Sequence, residues 1–313
     1  MNEKQILNTL ASLISNAGSN NGISIDFAFQ NFYNYSKLNC RTATLNFYIK
    51  EYKTLSKALG YLNISSTSEV TKVTYKQIES FLKASGYSNS TINKCTDLLK
   101  MIFKTNNILE YINHNPIIGM KKLKEEDPEI KIVSKPNIQK ILDYIKSLPH
   151  NFTNIRKITA LLLLKDTGVR LNELLHIEIK NISIDNNTIF LKYTKTHNTR
   201  YVFFTDDTKK FLIEYISLLD NESDNIYLFR SKNKNTYMST DVVYHFIDKI
   251  YDACEIEQSI SPHKWRHTFI TTLIEKNVNL SNVMKVAGHT EYSTTKKYIH
   301  QSISNLRDSI LKA

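Results

Sequence analysis

The chain has 313 residues, of which 41% are hydrophobic, and its formal net charge is +11 at pH 7. This length favours two domains, and the hydrophobic content is high enough for packed cores, which excludes an intrinsically disordered protein. The positive charge is typical of a protein with an anionic partner such as nucleic acid or a membrane surface, although a merely basic soluble protein would carry the same charge.

The N-terminal half shows the apolar periodicity of helices. Residues 1–24 contain the linker-like run SNAGSNNG, and we interpret them as an N-terminal extension. Thr74 and Gln77 have the spacing of a capping box, and Ser88 or Ser90 can cap a later helix. The apolar pattern and these caps predict four helices, at residues 25–36, 41–62, 74–86 and 88–106.

The charged stretch 125–131 is the predicted linker between this helical domain, residues 25–124, and a second domain at residues 132–313. We expect the second domain to be mainly helical, with helices at residues 136–147 and 152–166, one that begins in TGVRLNELL, and others at 207–219, 239–254 and from 262 onward. Two runs with strand character flank a polar turn and predict a small antiparallel sheet: residues 188–193 and 201–204, with the turn at 196–199.

The cysteine pattern and the motifs that are missing narrow the chemistry. Three single cysteines form neither a CxxC pair nor a metal spacing, so we predict buried free thiols in a reducing cytoplasm: Cys40, Cys95 and Cys254. The sequence has no GxxxxGK[ST] phosphate loop, no HExxH or GxSxG motif and no acidic constellation for two metals. These missing motifs predict a protein without a metal or cofactor. Because the sequence shows no signal peptide and no apolar stretch long enough for a bilayer, we predict that the protein is soluble and cytoplasmic.

The stretch from Ser261 to Tyr298 concentrates residue types that bind and attack phosphate. Ser261 followed by proline predicts the start of a helix, where unpaired backbone N–H groups and the helix dipole favour anions. His263 and Arg266 lie three residues apart on one face of this first turn. After the helical pattern breaks at a glycine, His289 follows, and Tyr298 lies nine positions further on. This stretch predicts a phosphate site with a nearby phenol.

Taken singly, each candidate residue has a plainer explanation. Arg170 enters an apolar helix three positions before Glu173, which is the spacing of a structural ion pair. Lys195 is an ordinary solvated residue of a hairpin turn, His289 can cap the preceding helix, and Tyr298 is one of 18 tyrosines. Together, however, two arginines, two histidines, a lysine and a tyrosine supply what phosphoryl transfer needs: donors to nonbridging oxygens, a nucleophile and a proton donor.

In these motifs the chain resembles the tyrosine recombinase (phage integrase) family. TGVRLNELL resembles the first arginine box of the family, while HKWRHTF and AGHTEYSTTKKYIH resemble its HxxRH, GH and tyrosine boxes in the family order. YTKTHNTRYVFF is similar to the hairpin that carries the lysine of the family, and Trp265 stands where the family usually has leucine. The resemblance covers roughly residues 25–300. It implies the tyrosine recombinase fold, with a helical, SAM-like core-binding domain and a mixed α/β catalytic domain that ends in a C-terminal exchange tail.

The resemblance also implies a role for each catalytic position. Arg170 and Arg266 would clamp the scissile phosphate, and His289 would add a hydrogen bond to a nonbridging oxygen. Tyr298 would attack phosphorus and form a 3′-phosphotyrosine intermediate, with His263 assisting the proton transfer.

The remaining assignments concern the leaving group and the DNA. Lys195 would be the general acid for the departing 5′ oxygen, and Lys192 is the alternative because the hairpin lacks the usual glycines of the family around the lysine. Glu173 would orient the first arginine. Three basic residues of the N-terminal domain are candidate DNA contacts or, equally, part of a solvated face: Arg41, Lys94 and Lys100.

The function implied is site-specific recombination of double-stranded DNA, such as integration, excision or resolution, in a prokaryotic or phage setting. The two domains would enclose a duplex that carries a specific recombination or operator site, and a homo-tetramer on DNA would exchange the tail beyond Tyr298. A sequence-specific repressor that kept the fold and lost strand exchange is the main alternative. A monomeric relaxing enzyme similar to type IB topoisomerases is a third possibility.

Overall fold

A computed structural model gives the structure of the chain and describes residues 22–125, 130–192, 199–219, 226–231, 236–257 and 261–299. The chain divides into two compact units, Met1–Asp127 and Pro128–Ala313, here called the N-terminal and C-terminal units. The boundary lies inside the segment 125–131 that the sequence analysis interprets as a linker. None of the described helices is both long and apolar enough to cross a membrane.

The N-terminal unit is built from four helices: α1 (Ile25–Lys37), α2 (Thr42–Tyr61), α3 (Lys72–Ala84) and α4 (Asn89–Ile108). The predicted start of α3 was wrong by two residues. Thr71 is the N-cap, its hydroxyl accepts hydrogen bonds from the backbone N–H groups of Val73 and Thr74, and the Thr74 hydroxyl accepts one from the Thr71 N–H. The capping box therefore joins Thr71 and Thr74. Of the two serines considered for α4, Ser88 is the cap.

Aromatic and aliphatic side chains fill the core of the N-terminal unit. The rings of Phe29 and Tyr52 stack at 3.8 Å between centroids, joining α1 to α2. Asn106 is fully buried and donates to the Ala28 carbonyl oxygen, which ties α4 to α1. Lys100 is only partly exposed, contrary to expectation, because its Nζ donates to the backbone carbonyl of Met120 at 2.6 Å.

The C-terminal unit surrounds one long apolar helix. Its helices up to the sheet are α5 (Lys135–Ser147), α6 (Phe152–Thr167) and the short α7 (Leu171–Leu175). After the sheet come α8 (Asp206–Ser217), α9 (Thr240–Ala253), α10 (Pro262–Glu275), α11 (Leu280–Ala287) and α12 (Tyr292–Ile299). Helix α6 is buried on nearly every side, and Trp265 of α10 lies in the same core. Gly168 ends α6 in the left-handed conformation, with φ of 59°.

A three-stranded antiparallel sheet lies between α7 and α8, in the order β1 (Ile182–Ser183), β2 (Thr188–Leu191) and β3 (Arg200–Phe203). In the register, Ile189 faces Val202, and both side chains are buried in the core of the unit. The sequence analysis missed β1, which is only two residues long, and the helix that begins in TGVRLNELL is much shorter than its apolar pattern suggested. The mainly helical architecture with a small antiparallel sheet is confirmed.

Candidate active site

Arg266 is held in the interior of the C-terminal unit by two backbone carbonyls. Its side chain extends from α10, and the residue is only 2% exposed. Nη1 donates to the carbonyl oxygen of Gly168 at 2.8 Å, and Nη2 donates to that of Ala287 at 2.6 Å. These carbonyls lie at the C-terminal ends of α6 and α11, where the helix dipoles favour a cation. Burial and the neighbouring Arg170 lower the pKa of Arg266 to about 10, so the guanidinium remains charged at neutral pH.

Glu173 joins two arginines at the start of α7. Its Oε1 accepts from Nη1 of Arg170 at 2.8 Å, and its Oε2 accepts from the Arg170 backbone N–H at 3.0 Å. Arg200 donates to the same carboxylate through Nη2 at 2.7 Å and Nη1 at 3.3 Å. Burial alone would raise the pKa of Glu173, but the bonds from Arg200 and Arg170 lower that pKa below its ordinary value. The carboxylate is therefore ionised at neutral pH and orients both guanidinium groups.

Arg200 is a member of the site that the sequence analysis did not identify. Its Nε donates to the Val286 carbonyl at 2.8 Å, so this side chain connects β3 to Glu173 and to the end of α11. The contact is close: a Cβ atom on Gly288, whose φ is +67°, would lie 2.8 Å from Nη1 of Arg200. A sequence signal was present, because Arg200 and the apolar Val202 are two positions apart in a strand and therefore share a face.

Tyr298 is buried, and its phenol contacts a histidine. The residue is 5% exposed and packs with Ile270, Val283 and Ala287. Its hydroxyl oxygen lies 2.6 Å from Nδ1 of His267. The sequence analysis assigned no role to His267 and expected His263 to assist the tyrosine.

The three histidines near Tyr298 are all poor bases in the unliganded site. Burial, reinforced by neighbouring cationic or titratable groups, lowers the pKa of His267 and that of His289 to about 4. The pKa of His263 is lowered by burial and by the charges of Arg266 and Arg170. These imidazoles are therefore neutral at pH 7. Burial also raises the pKa of the Tyr298 phenol, although the two arginines oppose the shift, so the phenol keeps its proton at neutral pH.

His289 occupies a fixed position beside the tyrosine. Its Nδ1 lies 2.8 Å from the hydroxyl oxygen of Thr295, which is fully buried on α12. The centroids of the His289 and Tyr298 rings are 6.4 Å apart, and those of the His263 and His267 rings are 4.4 Å apart. The structure therefore brings five of the six predicted catalytic side chains into one cluster, together with Glu173.

The other predicted residues lie outside this cluster or outside the described part of the chain. Lys195 is in the segment 193–198, which the structure does not describe, whereas the alternative Lys192 is exposed just after β2. Arg41 and Lys94 are exposed on the N-terminal unit. Among the described residues, no group of three or more His, Cys, Asp or Glu side chains is arranged to hold a metal ion.

The sequence is similar to known recombinases over most of its length. Residues 131–304 match the model of the phage integrase family. The tyrosine recombinase XerA of Saccharolobus solfataricus is 32% identical over 212 residues, which are 68% of this chain and 66% of that protein. The tyrosine recombinase XerC of Lactobacillus leichmannii is 28% identical over 251 residues, which are 75% of this chain and 81% of that protein.

Solved structures share the fold. The Tn1549 transposon integrase, in complex with a circular intermediate DNA, has a TM-score of 0.70 and 18% identity, over 88% of this chain and 95% of that one. XerH bound to a palindromic difH substrate also has a TM-score of 0.70, with 20% identity, over 87% of this chain and 80% of that one. The predicted tyrosine recombinase fold and family are confirmed: the chain belongs to the phage integrase family of tyrosine recombinases, which are DNA strand-transferring enzymes.

Proposed function

We propose that the protein is a site-specific recombinase that cleaves and rejoins DNA strands through a 3′-phosphotyrosine intermediate. The observation that carries this proposal is the position of the Tyr298 phenol, which is buried beside His267 and close enough to Arg266 and Arg170 for both charges to act on its pKa. This proximity supports the proposal, because phosphoryl transfer to a side chain needs a nucleophile beside groups that hold the phosphate.

The charge of the cluster fits a phosphodiester in its transition state. Three guanidinium groups (Arg170, Arg200 and Arg266) surround one carboxylate (Glu173), which leaves two positive charges, while the histidines are neutral. A phosphodiester carries one negative charge and gains a second as its phosphorus becomes pentacoordinate. Donors fixed before the reaction stabilise such developing charge most effectively. Arg170 and Arg266 are proposed to clamp the nonbridging oxygens, with a further bond from His289.

The proposed partner is double-stranded DNA with a specific recombination site. Support comes from the net charge of +11 and from relatives that were solved on DNA, including a lambda integrase dimer bound to a core site. Residues 25–124 would then be the core-binding domain and residues 132–313 the catalytic domain. We propose assembly of four copies on two DNA sites, with Arg41 and Lys94 as candidate phosphate contacts. A phosphate contact by Lys100 would have to replace its bond to Met120.

The test is covalent capture of DNA by the full chain. Duplexes selected from a random library by binding to the protein are nicked next to the cleavage position, so that the released fragment diffuses away and the adduct accumulates. A denaturing gel should show a DNA–protein adduct that Tyr298→Phe abolishes while DNA affinity stays unchanged. Tyr292→Phe is the matched control, because Tyr292 lies on the same helix and is 54% exposed. Tight, specific binding of wild type without any adduct would instead identify a DNA-binding repressor.

A second substrate tests the proposed general acid. Lys195→Ala should slow adduct formation on ordinary DNA by about 100-fold or more, because the 5′ oxygen leaves poorly without a proton. A duplex with sulfur in place of that oxygen should restore the rate, since a thiolate leaves without protonation. Lys192→Ala is the control variant. If Lys192→Ala, rather than Lys195→Ala, shows the loss and the rescue, the roles of the two lysines are exchanged.

A further inference from the structure

We infer that His267 is the catalytic base of the reaction: it takes the phenolic proton from Tyr298 during cleavage and returns that proton during rejoining. The inference rests on the proposed function. It assigns the proton acceptor of the cleavage step to His267, a residue to which the family resemblance gave no role. It stands on the direct contact between the phenol and the imidazole.

The geometry is that of a nucleophile paired with its base. The hydroxyl oxygen of Tyr298 lies 2.6 Å from Nδ1 of His267, within the distance over which a proton passes between two heavy atoms. In the proposed arrangement the phenol donates to Nδ1, and the proton of the neutral imidazole is on Nε2. Both partners are fixed by packing, because Tyr298 is buried and His267 follows the fully enclosed Arg266 on α10.

The neighbouring histidines are engaged differently. Nδ1 of His289 contacts the hydroxyl of Thr295 at 2.8 Å, and its ring centroid is 6.4 Å from that of Tyr298. The ring of His263 packs edge-on against His267, with 4.4 Å between centroids. Among the described side chains, the hydrogen-bond partner of the Tyr298 hydroxyl is His267. His263 is therefore better placed to support His267 than to receive the proton itself.

The electrostatics keep the tyrosine protonated until DNA is bound. The titratable and charged groups that face His267 are His263 and Arg266 on its own helix, Tyr298 on α12, and His289 in the loop before α12. Burial and the positive charge of Arg266 disfavour an imidazolium in the unliganded site. A bound phosphodiester brings negative charge to the arginines and offsets this repulsion. The basicity of His267 then rises when the reaction requires it.

The step balances in both directions. In cleavage the bond between the Tyr298 oxygen and phosphorus forms, the bond from phosphorus to the 5′ oxygen breaks, and the phenolic proton moves to Nδ1 of His267. The departing 5′ oxygen takes its proton from the general acid of the proposed function. In rejoining, a 5′ hydroxyl attacks phosphorus, the bond to tyrosine breaks, and the His267 imidazolium returns its proton to the phenolate. No oxidant, metal or nucleotide is consumed.

Two variants distinguish a base from a residue that only holds the phenol. His267→Ala removes both functions, whereas His267→Asn keeps a side-chain oxygen that can accept the hydrogen bond of the phenol but cannot take its proton. His245→Ala is the control, because His245 is exposed on α9. The measured quantity is the single-turnover rate of adduct formation on the nicked duplexes described above, between about pH 6 and 8, with and without added imidazole.

Both His267 variants should form the adduct about 100-fold or more slowly than wild type. In His267→Ala the rate should rise about tenfold per pH unit, because only the small ionised fraction of the phenol reacts, and imidazole should restore part of the activity. His267→Asn at the wild-type rate would overturn the inference, since it would show that a hydrogen bond is sufficient. A slow His267→Ala with the wild-type pH profile and no response to imidazole would also overturn it.

The outcome separates this inference from the proposed function. Wild-type protein that forms no adduct contradicts the proposed function itself, whereas an adduct that forms normally in both His267 variants contradicts only the role of His267. If His267→Ala does not fold, as judged from the fluorescence of Trp265 in the core of the C-terminal unit, His267→Asn decides alone. A wild-type rate in that variant still refutes the base, and a slow rate in folded His267→Asn supports it.

Discussion

Replacing Arg200 with alanine should lower the free energy of unfolding of the C-terminal unit by about 4 kcal/mol at pH 7. The variant breaks a buried ion pair, because the side chains of Arg200 and Glu173 are 8% and 2% exposed. Removing one partner of a buried ion pair costs about 3–5 kcal/mol. We expect the lower end of this range, about 3 kcal/mol, because Arg170 still forms an ion pair with Glu173 in the variant. The Val286 carbonyl also loses its donor, which adds about 1 kcal/mol.

The single tryptophan of the chain makes this loss measurable. Trp265 is buried in the core of the C-terminal unit, so its fluorescence in a urea titration follows the unfolding of that unit within the full chain. Lys210→Ala is the control, because Lys210 and Asp207 form an exposed ion pair in the same unit and its loss should leave the midpoint unchanged.

The effect should also depend on pH. In the folded wild type the pKa of Glu173 is lowered, so its ionised form contributes stability above the unfolded pKa, and this contribution is lost as the pH falls through the folded value. Burial raises the pKa of Glu173, and without Arg200 fewer charges oppose this effect, so the carboxyl is protonated at a higher pH than in wild type. The difference between wild type and Arg200→Ala should therefore shrink as the pH falls below 4.5, the ordinary value. A difference below about 1 kcal/mol at pH 7, or one that is unchanged on acidification, would refute the reasoning.

Two further variants or reagents test other parts of the structure. Gly168→Ala should destabilise the C-terminal unit by about 1–3 kcal/mol, because φ is +59° there and the new Cβ would lie 2.3 Å from Cδ1 of Phe269; an unchanged Trp265 fluorescence midpoint would contradict this. Cys95 should resist iodoacetamide at pH 8 while the partly exposed Cys40 reacts, because burial and the nearby Glu51 raise the pKa of Cys95 to about 12. Mass spectrometry checks the second prediction, which labelling of Cys95 in the native protein would contradict.

The sequence predicted the helices well because their boundaries are encoded locally. Ser88 and Ser134 lie just before α4 and α5, and their hydroxyls accept hydrogen bonds from free backbone N–H groups of the first turn. Gly168 ends α6 because glycine adopts a left-handed φ without steric strain. Thr71 and Thr74 were confused because either hydroxyl is chemically able to cap a helix. The expectation that all three cysteines are buried was wrong for Cys40 and Cys254, which are partly exposed.

The contacts inside the site were much harder to predict, because they join residues that are distant in the chain. His267 follows Arg266 directly, so the two side chains leave α10 about 100° apart, and only the docking of α12 brings Tyr298 to the histidine. Arg200 reaches Glu173 across 27 positions. The carbonyls of Val286 and Gly168 are acceptors that any residue provides, so their identity carries no signal in the sequence.

The enclosure of Arg266 makes the position of its guanidinium depend on three helices. Its two carbonyl acceptors belong to residues 98 positions before and 21 positions after it. The guanidinium therefore has no complete binding site until α6, α10 and α11 have all docked. Under the proposed function, a chain in which α11 has undocked would lose one of the two acceptors that position Arg266 and would cut DNA poorly. In that proposal, strand cleavage is coupled to the docking of α11 on the rest of the C-terminal unit.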